Sequence, residues 1–160
     1  MNKNGFTFVE IMLVVLLLAI IAGLALPNFR QTYAGLKLKT ASEDLANLMR
    51  YAQSRAVTRG HKIQLEFQEG FSGYLLKENV AVSPEKENYE RIKGRFGRRF
   101  SFPVAIEAEA SQNQIIFYPD GSIDKSYIVV CEPRKESACM TLSTKEQRGA
   151  VLIFKGRMDG

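Results

Sequence analysis

Few residues in this 160-residue chain are placed to do chemistry, and Glu10 stands out among them. It lies just ahead of residues 11–26, a run without a polar or charged side chain. A carboxylate within a membrane-spanning helix costs on the order of 2.5–3.5 kcal/mol and usually has a partner there. Near the headgroups it reaches water at little cost, but that leaves unexplained why an acid occupies the position. Cys131 and Cys139 are the only thiols, separated by residues 132–138. In an oxidising compartment such a pair would bracket a hairpin loop and bond. Two free thiols, or half of a metal site, are the alternatives. Arg91, Lys93, Arg95, Arg98 and Arg99 interleave with Gly94, Phe96, Gly97 and Phe100. That mixture offers cations to a nucleic-acid backbone and rings for stacking, or a contact for another anionic partner. A solvated basic loop is the plainer reading.

No catalytic constellation accompanies these groups. His61 is the only histidine, and there is neither a phosphate-cradling glycine loop nor a Gly-x-Ser-x-Gly elbow. The remaining acids are dispersed. The sequence therefore points away from an enzyme, and no metal or cofactor is expected. A net charge of +5 is compatible with anionic partners without requiring them.

The elements that must position these residues begin with a short basic segment, Met1-Asn2-Lys3-Asn4-Gly5. An apolar stretch follows it, but no Ala-x-Ala-like site stands out as in an ordinary secretory signal. Residues 6–26 number twenty-one, roughly 31 Å as helix against a hydrocarbon core of about 30 Å. Pro27 predicts a kink or local break at the end of the run. Beyond it, Ala41, Leu45, Leu48, Ala52 and Ala56 recur at helical spacing, with Ser42, Glu43, Asn47, Arg50, Gln53 and Arg55 on the other sides. Gly60 is a natural stop. The expectation is a helix of about fifty residues, its first half in lipid and its second packed on a domain.

From His61 the period switches to two. Ile63, Leu65 and Phe67 alternate with polar residues, then a Gly-rich turn and Tyr74-Leu75-Leu76-Lys77 complete a β-hairpin. Residues 80–99 read as a long surface loop. Strands are expected at 100–108 and 114–118. Pro119-Asp120-Gly121-Ser122 should turn the latter into a partner strand at 123–131. The last candidates are 139–142 and 150–154. One helix followed only by strands is an α+β arrangement, the helix laid across an antiparallel sheet.

Gly5-Phe6-Thr7-Phe8-Val9-Glu10, followed by the apolar run and Pro27, resembles the class III signal segment of type IV pilins and pseudopilins. The resemblance implies that a prepilin peptidase cuts between Gly5 and Phe6 and N-methylates Phe6. It also implies that Glu10 neutralises the new N-terminal amine, of the same or a neighbouring subunit, during assembly. The helix segment from Leu45 to Ala56 and the strand-turn Ile116-Phe117-Tyr118-Pro119-Asp120-Gly121-Ser122 are similar to the GspH/FimT group of minor pseudopilins. That group often carries Trp in the early hairpin, where this chain has Tyr74, so the subfamily stays open.

The organisation implied is a leader at 1–5, a transmembrane assembly helix at 6–27, its amphipathic continuation at 28–60 and a periplasmic β-rich domain at 61–160. The partners implied are other pseudopilins or pilins through the helix, prepilin peptidase, and lipid of the bacterial inner membrane. The resemblance implies a subunit of a type II secretion pseudopilus. A minor type IV pilin that aids pilus assembly or DNA uptake is the alternative.

Overall fold

The computed structural model describes residues 7–81, 87–133, 138–144 and 149–158, with backbone alone for 24–34. Its helix α1 runs Phe8–Arg59, 52 residues. The chain divides into two units, 1–35 and 36–160, each considered by itself. Helical backbone passes through Pro27, so the expected break does not occur there. The fixed φ of proline is compatible with a helix even though its missing N–H removes one bond. In the first unit every large apolar side chain described, from Phe8 to Ile21, is more than half exposed. Among the described residues no helix is long and apolar enough to cross a membrane; the side-chain description stops at Gly23, short of the Leu26 that closes the run.

In the second unit α1 ends where Gly60, at φ 69°, donates its N–H to Ala56 O at 2.9 Å. Strand β1 (Ile63–Phe67) pairs antiparallel with β2 (Gly73–Asn79), Leu65 opposite Leu76, as the alternation predicts. Strands β3 (Tyr89–Arg91) and β4 (Phe100–Ser101) share the far edge of β2. Strand β6 (Gln114–Phe117) covers the other side of β1. A second antiparallel sheet has the order β5 (Glu107–Ala110), β7 (Tyr127–Cys131), β8 (Cys139–Ser143), β9 (Leu152–Lys155).

Three sequence expectations need correction. Residues 80–99 are not all loop, because β3 and a 3-10 turn at Arg95–Gly97 lie within them and Ile92 is buried. The strand expected over 100–108 is two strands in different sheets. Pro103 interrupts it, and the N–H of Ile106 turns back to Pro103 O at 2.8 Å. The hairpin expected across Pro119–Ser122 is reduced to one bridge, Phe117 with Ile123. Asp124 ends the pairing, since its Oδ2 takes the N–H of Ile116 at 3.0 Å, and the chain then leaves for the second sheet. Thr144 steadies that crossing, its Oγ1 donating to Asp124 O at 2.6 Å and accepting the Ser126 N–H at 2.9 Å.

The core joins α1 to both sheets. Leu45, Ala46, Met49, Ala52 and Ala56 lie in one buried cluster with Leu65, Ile115 and Phe117 of the first sheet and Ile128, Val130 and Leu142 of the second. Ser42, which the spacing sets outside the apolar stripe, is fully buried, its hydroxyl donating to Leu38 O at 2.9 Å. Gln53 ties the helix to two loops, its Nε2 donating to Gly121 O at 2.7 Å and Gly149 O at 2.6 Å. Gln53→Ala leaves both carbonyls without that donor and should lower stability by about 1–3 kcal/mol in chemical denaturation. A change below about 0.5 kcal/mol, the scale of an ordinary surface substitution, would contradict the clamp.

Candidate functional site

The start of α1 is built around Glu10. Phe8 is the first helical residue and Thr7 the N-cap, so Glu10 occupies the third helical position. Its N–H donates to Thr7 Oγ1 at 3.3 Å and to Thr7 O at 3.1 Å. That is the threonine half of a capping box, whose Thr-x-x-Glu signature the sequence carries at Thr7 and Glu10. The exposed carboxylate stands in the first turn, where the helix dipole is positive and unpaired N–H groups favour an anion. Gly5 and Phe6 lie outside the described residues.

The basic segment divides in two. Arg91 ends β3 and Lys93 follows it, whereas Arg95, Arg98 and Arg99 line an open groove with Tyr51, Tyr74 and Phe100, about 710 Å³ in volume. Gly97 allows the chain to fold this tightly, because a Cβ there would stand 1.4 Å from the carbonyl oxygen of Ile92. The rings are already occupied. Phe96 stacks on Tyr51 with centroids 4.0 Å apart, and Phe100 on Tyr74 at 5.6 Å with planes 10° apart. The Arg98 guanidinium lies 5.1 Å from the Phe100 centroid and that of Arg95 6.0 Å from Phe96. Burial, helped by the charge of Asp44, pushes the Tyr74 phenol up to about 12. Among the described residues none of the five cations has a carboxylate partner.

Cys131 and Cys139 are bonded to one another. They sit opposite in the β7–β8 register with Cα atoms 4.2 Å apart, so the ladder brings the thiols together before oxidation. His61 lies beside the Arg55–Glu78 ion pair. Its Nδ1 is 3.3 Å from Glu78 Oε1, while Glu78 Oε2 accepts from Arg55 Nη2 at 2.7 Å and Nε at 3.2 Å. Among the described residues no three metal-ligating side chains gather.

The sequence profile of the family described as type II transport protein GspH matches residues 41–146, well over half of the chain. The chain belongs to the GspH family. A prokaryotic N-terminal methylation motif matches residues 1–26. Comparison with curated protein sequences gave no match. Among solved structures, the minor pseudopilin EpsH from the type 2 secretion system of Vibrio cholerae is similar at TM-score 0.63 and 5 % identity, over 74 % of this chain and 97 % of that one. The solution structure of E. coli GspH gives 0.60 and 12 %, over 78 % and 92 %. The Pseudomonas aeruginosa type IV minor pilin FimU gives 0.53 and 18 %, over 73 % and 87 %. At these identities the likeness is one of fold.

This GspH-family chain is thus a minor pseudopilin, a structural subunit that assembles with other pseudopilins. Two of its internal ties have measurable consequences. Burial tends to raise the Glu78 carboxyl, but the hydrogen bonds and charges of Arg55 and His61 outweigh it and hold the group below its ordinary value of 4.5. A depressed carboxylate stabilises the fold above its unfolded value and loses that contribution as pH falls through the folded one. Glu78→Gln should therefore flatten the acid limb of the stability–pH curve below about pH 4.5. An unchanged acid limb would contradict the assignment. Replacing Cys131 and Cys139 by Ser should cost about 2–3 kcal/mol on the chain-entropy model, and non-reducing mass spectrometry of the native protein should find no alkylatable thiol.

Proposed function

We propose that prepilin peptidase cleaves this pseudopilin between Gly5 and Phe6 and methylates the new amine of Phe6. Residues 6–27 then hold it in the bacterial inner membrane, with residues 61–160 in the periplasm, until it enters a periplasm-spanning type II secretion pseudopilus. The observation that carries this reading is Glu10 in the capped first turn of α1, inside a segment that matches the methylation motif. A freed amine and the helix N-terminus are both positive, and bringing them into a low-dielectric helix bundle is unfavourable without an opposing charge. Glu10 is the only acid within the first forty residues. Its carboxylate offsets that charge in the assembled filament, while in the isolated subunit it can stay at the headgroups. The leader keeps Phe6 amide-bonded and so withholds the amine until cleavage.

The test is co-expression of the full chain with prepilin peptidase, followed by intact mass and N-terminal sequencing. The mature protein should begin at Phe6 and carry one added methyl. A product that still begins at Met1, or one cut after residues 22–25, would contradict the reading. Glu10→Gln should be inserted and processed as the parent is, yet enter filaments at least about tenfold less, the equivalent of 1.4 kcal/mol. Equal incorporation would remove Glu10 from the mechanism. A type IV pilus subunit would share every N-terminal feature, and the identity of co-assembled neighbours separates the two systems.

A further inference from the structure

The groove between α1 and the Arg95–Ser101 segment has the character of a built recognition surface. Three arginines converge on it without a carboxylate partner among the described residues. The acids of the second unit that form ion pairs are committed elsewhere: Glu43 to Lys39, Glu66 to Lys77, Glu78 to Arg55 and His61, Glu87 to Lys62, and Glu109 to Arg157. Clustered like charges repel, so this concentration of cations is relieved most effectively by an anion from outside the chain.

The aromatic stacking decides what kind of anion. A single-stranded nucleic acid would need open ring faces on which to lay its bases. Here one face of Phe96 lies on Tyr51 and one face of Phe100 on Tyr74, and guanidinium groups stand over both phenylalanines. Asp44 on the groove wall opposes any anion alike, so the three arginines outweigh it rather than select by it. Stacking has the opposite effect on the arginines. A guanidinium laid on a ring keeps its N–H edges free and fixed in plane, the arrangement that forks a carboxylate.

We propose that this groove binds a short acidic segment of a neighbouring subunit, with Arg98 forking one carboxylate and Arg95 and Arg99 holding others. The inference deepens the assembly reading and rests on it only for the source of the segment. The binding assay below involves no assembly, so its failure leaves that reading standing. Conversely, binding without filament entry would count against the assembly reading alone.

The experiment uses the full chain in detergent micelles and fluorescence anisotropy of a labelled alternating Glu-Ser peptide. Saturable binding should weaken with added salt and fall at least about tenfold when Arg95, Arg98 and Arg99 are all changed to Ala. An R98K variant, which keeps the charge and so carries the test if the triple variant does not fold, should bind several-fold more weakly at an unchanged unfolding midpoint. Equal binding of a Gln-Ser peptide, or equal binding by the triple variant, would overturn the proposal. Unchanged binding by R98K would overturn the forked contact. An unlabelled DNA oligomer that displaces the Glu-Ser peptide at lower charge-matched concentration would assign the groove to nucleic acid instead.

Discussion

Along α1 the buried residues include three adjacent pairs, Ala41 with Ser42, Leu45 with Ala46 and Leu48 with Met49, beside the single positions Leu38, Ala52 and Ala56. Neighbouring helical positions point about 100° apart, so a helix that buries both members of such pairs has an apolar face wider than one flat contact covers. Two sheets meet that demand. Arg55 reaches Glu78 of β2 on the first sheet, whereas Arg50 donates to Val151 O at 3.2 Å beside β9 of the second. The small residues Ala46, Ala52 and Ala56 let the backbones approach closely enough for all three layers to share one core. The groove, the disulfide-closed hairpin and the Glu78 ion pairs are all features of the surface that this packing leaves.

How much of this was legible in the sequence depended on whether the signal was local. The helix with its Gly60 stop, the first hairpin with Leu65 opposite Leu76, and the cysteine pair all follow from periodicity or from neighbours in the chain. What stayed hidden was non-local. Ile123 and Tyr127 fall within one expected strand, yet only Ile123 pairs back to β6, because Asp124 satisfies the Ile116 N–H with a side chain where a strand would have used backbone. A window of alternating residues cannot say in which sheet it lies. Ser42 was misplaced for a related reason, since a hydroxyl that bonds Leu38 O one turn back loses little by burial.

The candidate sites divide in the same way. Glu10 was recognisable because an acid beside an uninterrupted apolar run has few bland explanations, and the structure adds the Thr7 cap that fixes its place in the first turn. The basic segment was recognisable only as composition. Folding separates Arg91 and Lys93 from the groove, keeps Arg95, Arg98 and Arg99 in it, and stacks Phe96 on Tyr51 and Phe100 on Tyr74 beside the Arg95 and Arg98 guanidinium groups. Cations and aromatics whose plainer reading in one dimension was a solvated loop line, in three, a groove with the chemistry to fork a carboxylate.

The central claim is that the N-terminal helix is an assembly element that packs against its counterparts in other subunits. Photocross-linking from position 14 of the full chain in its native membrane tests this most directly. The account predicts adducts with the N-terminal helices of secretion pseudopilins, lost when Glu10 is changed to Gln. Adducts with lipid alone, or protein adducts indifferent to the Glu10 change, would contradict it.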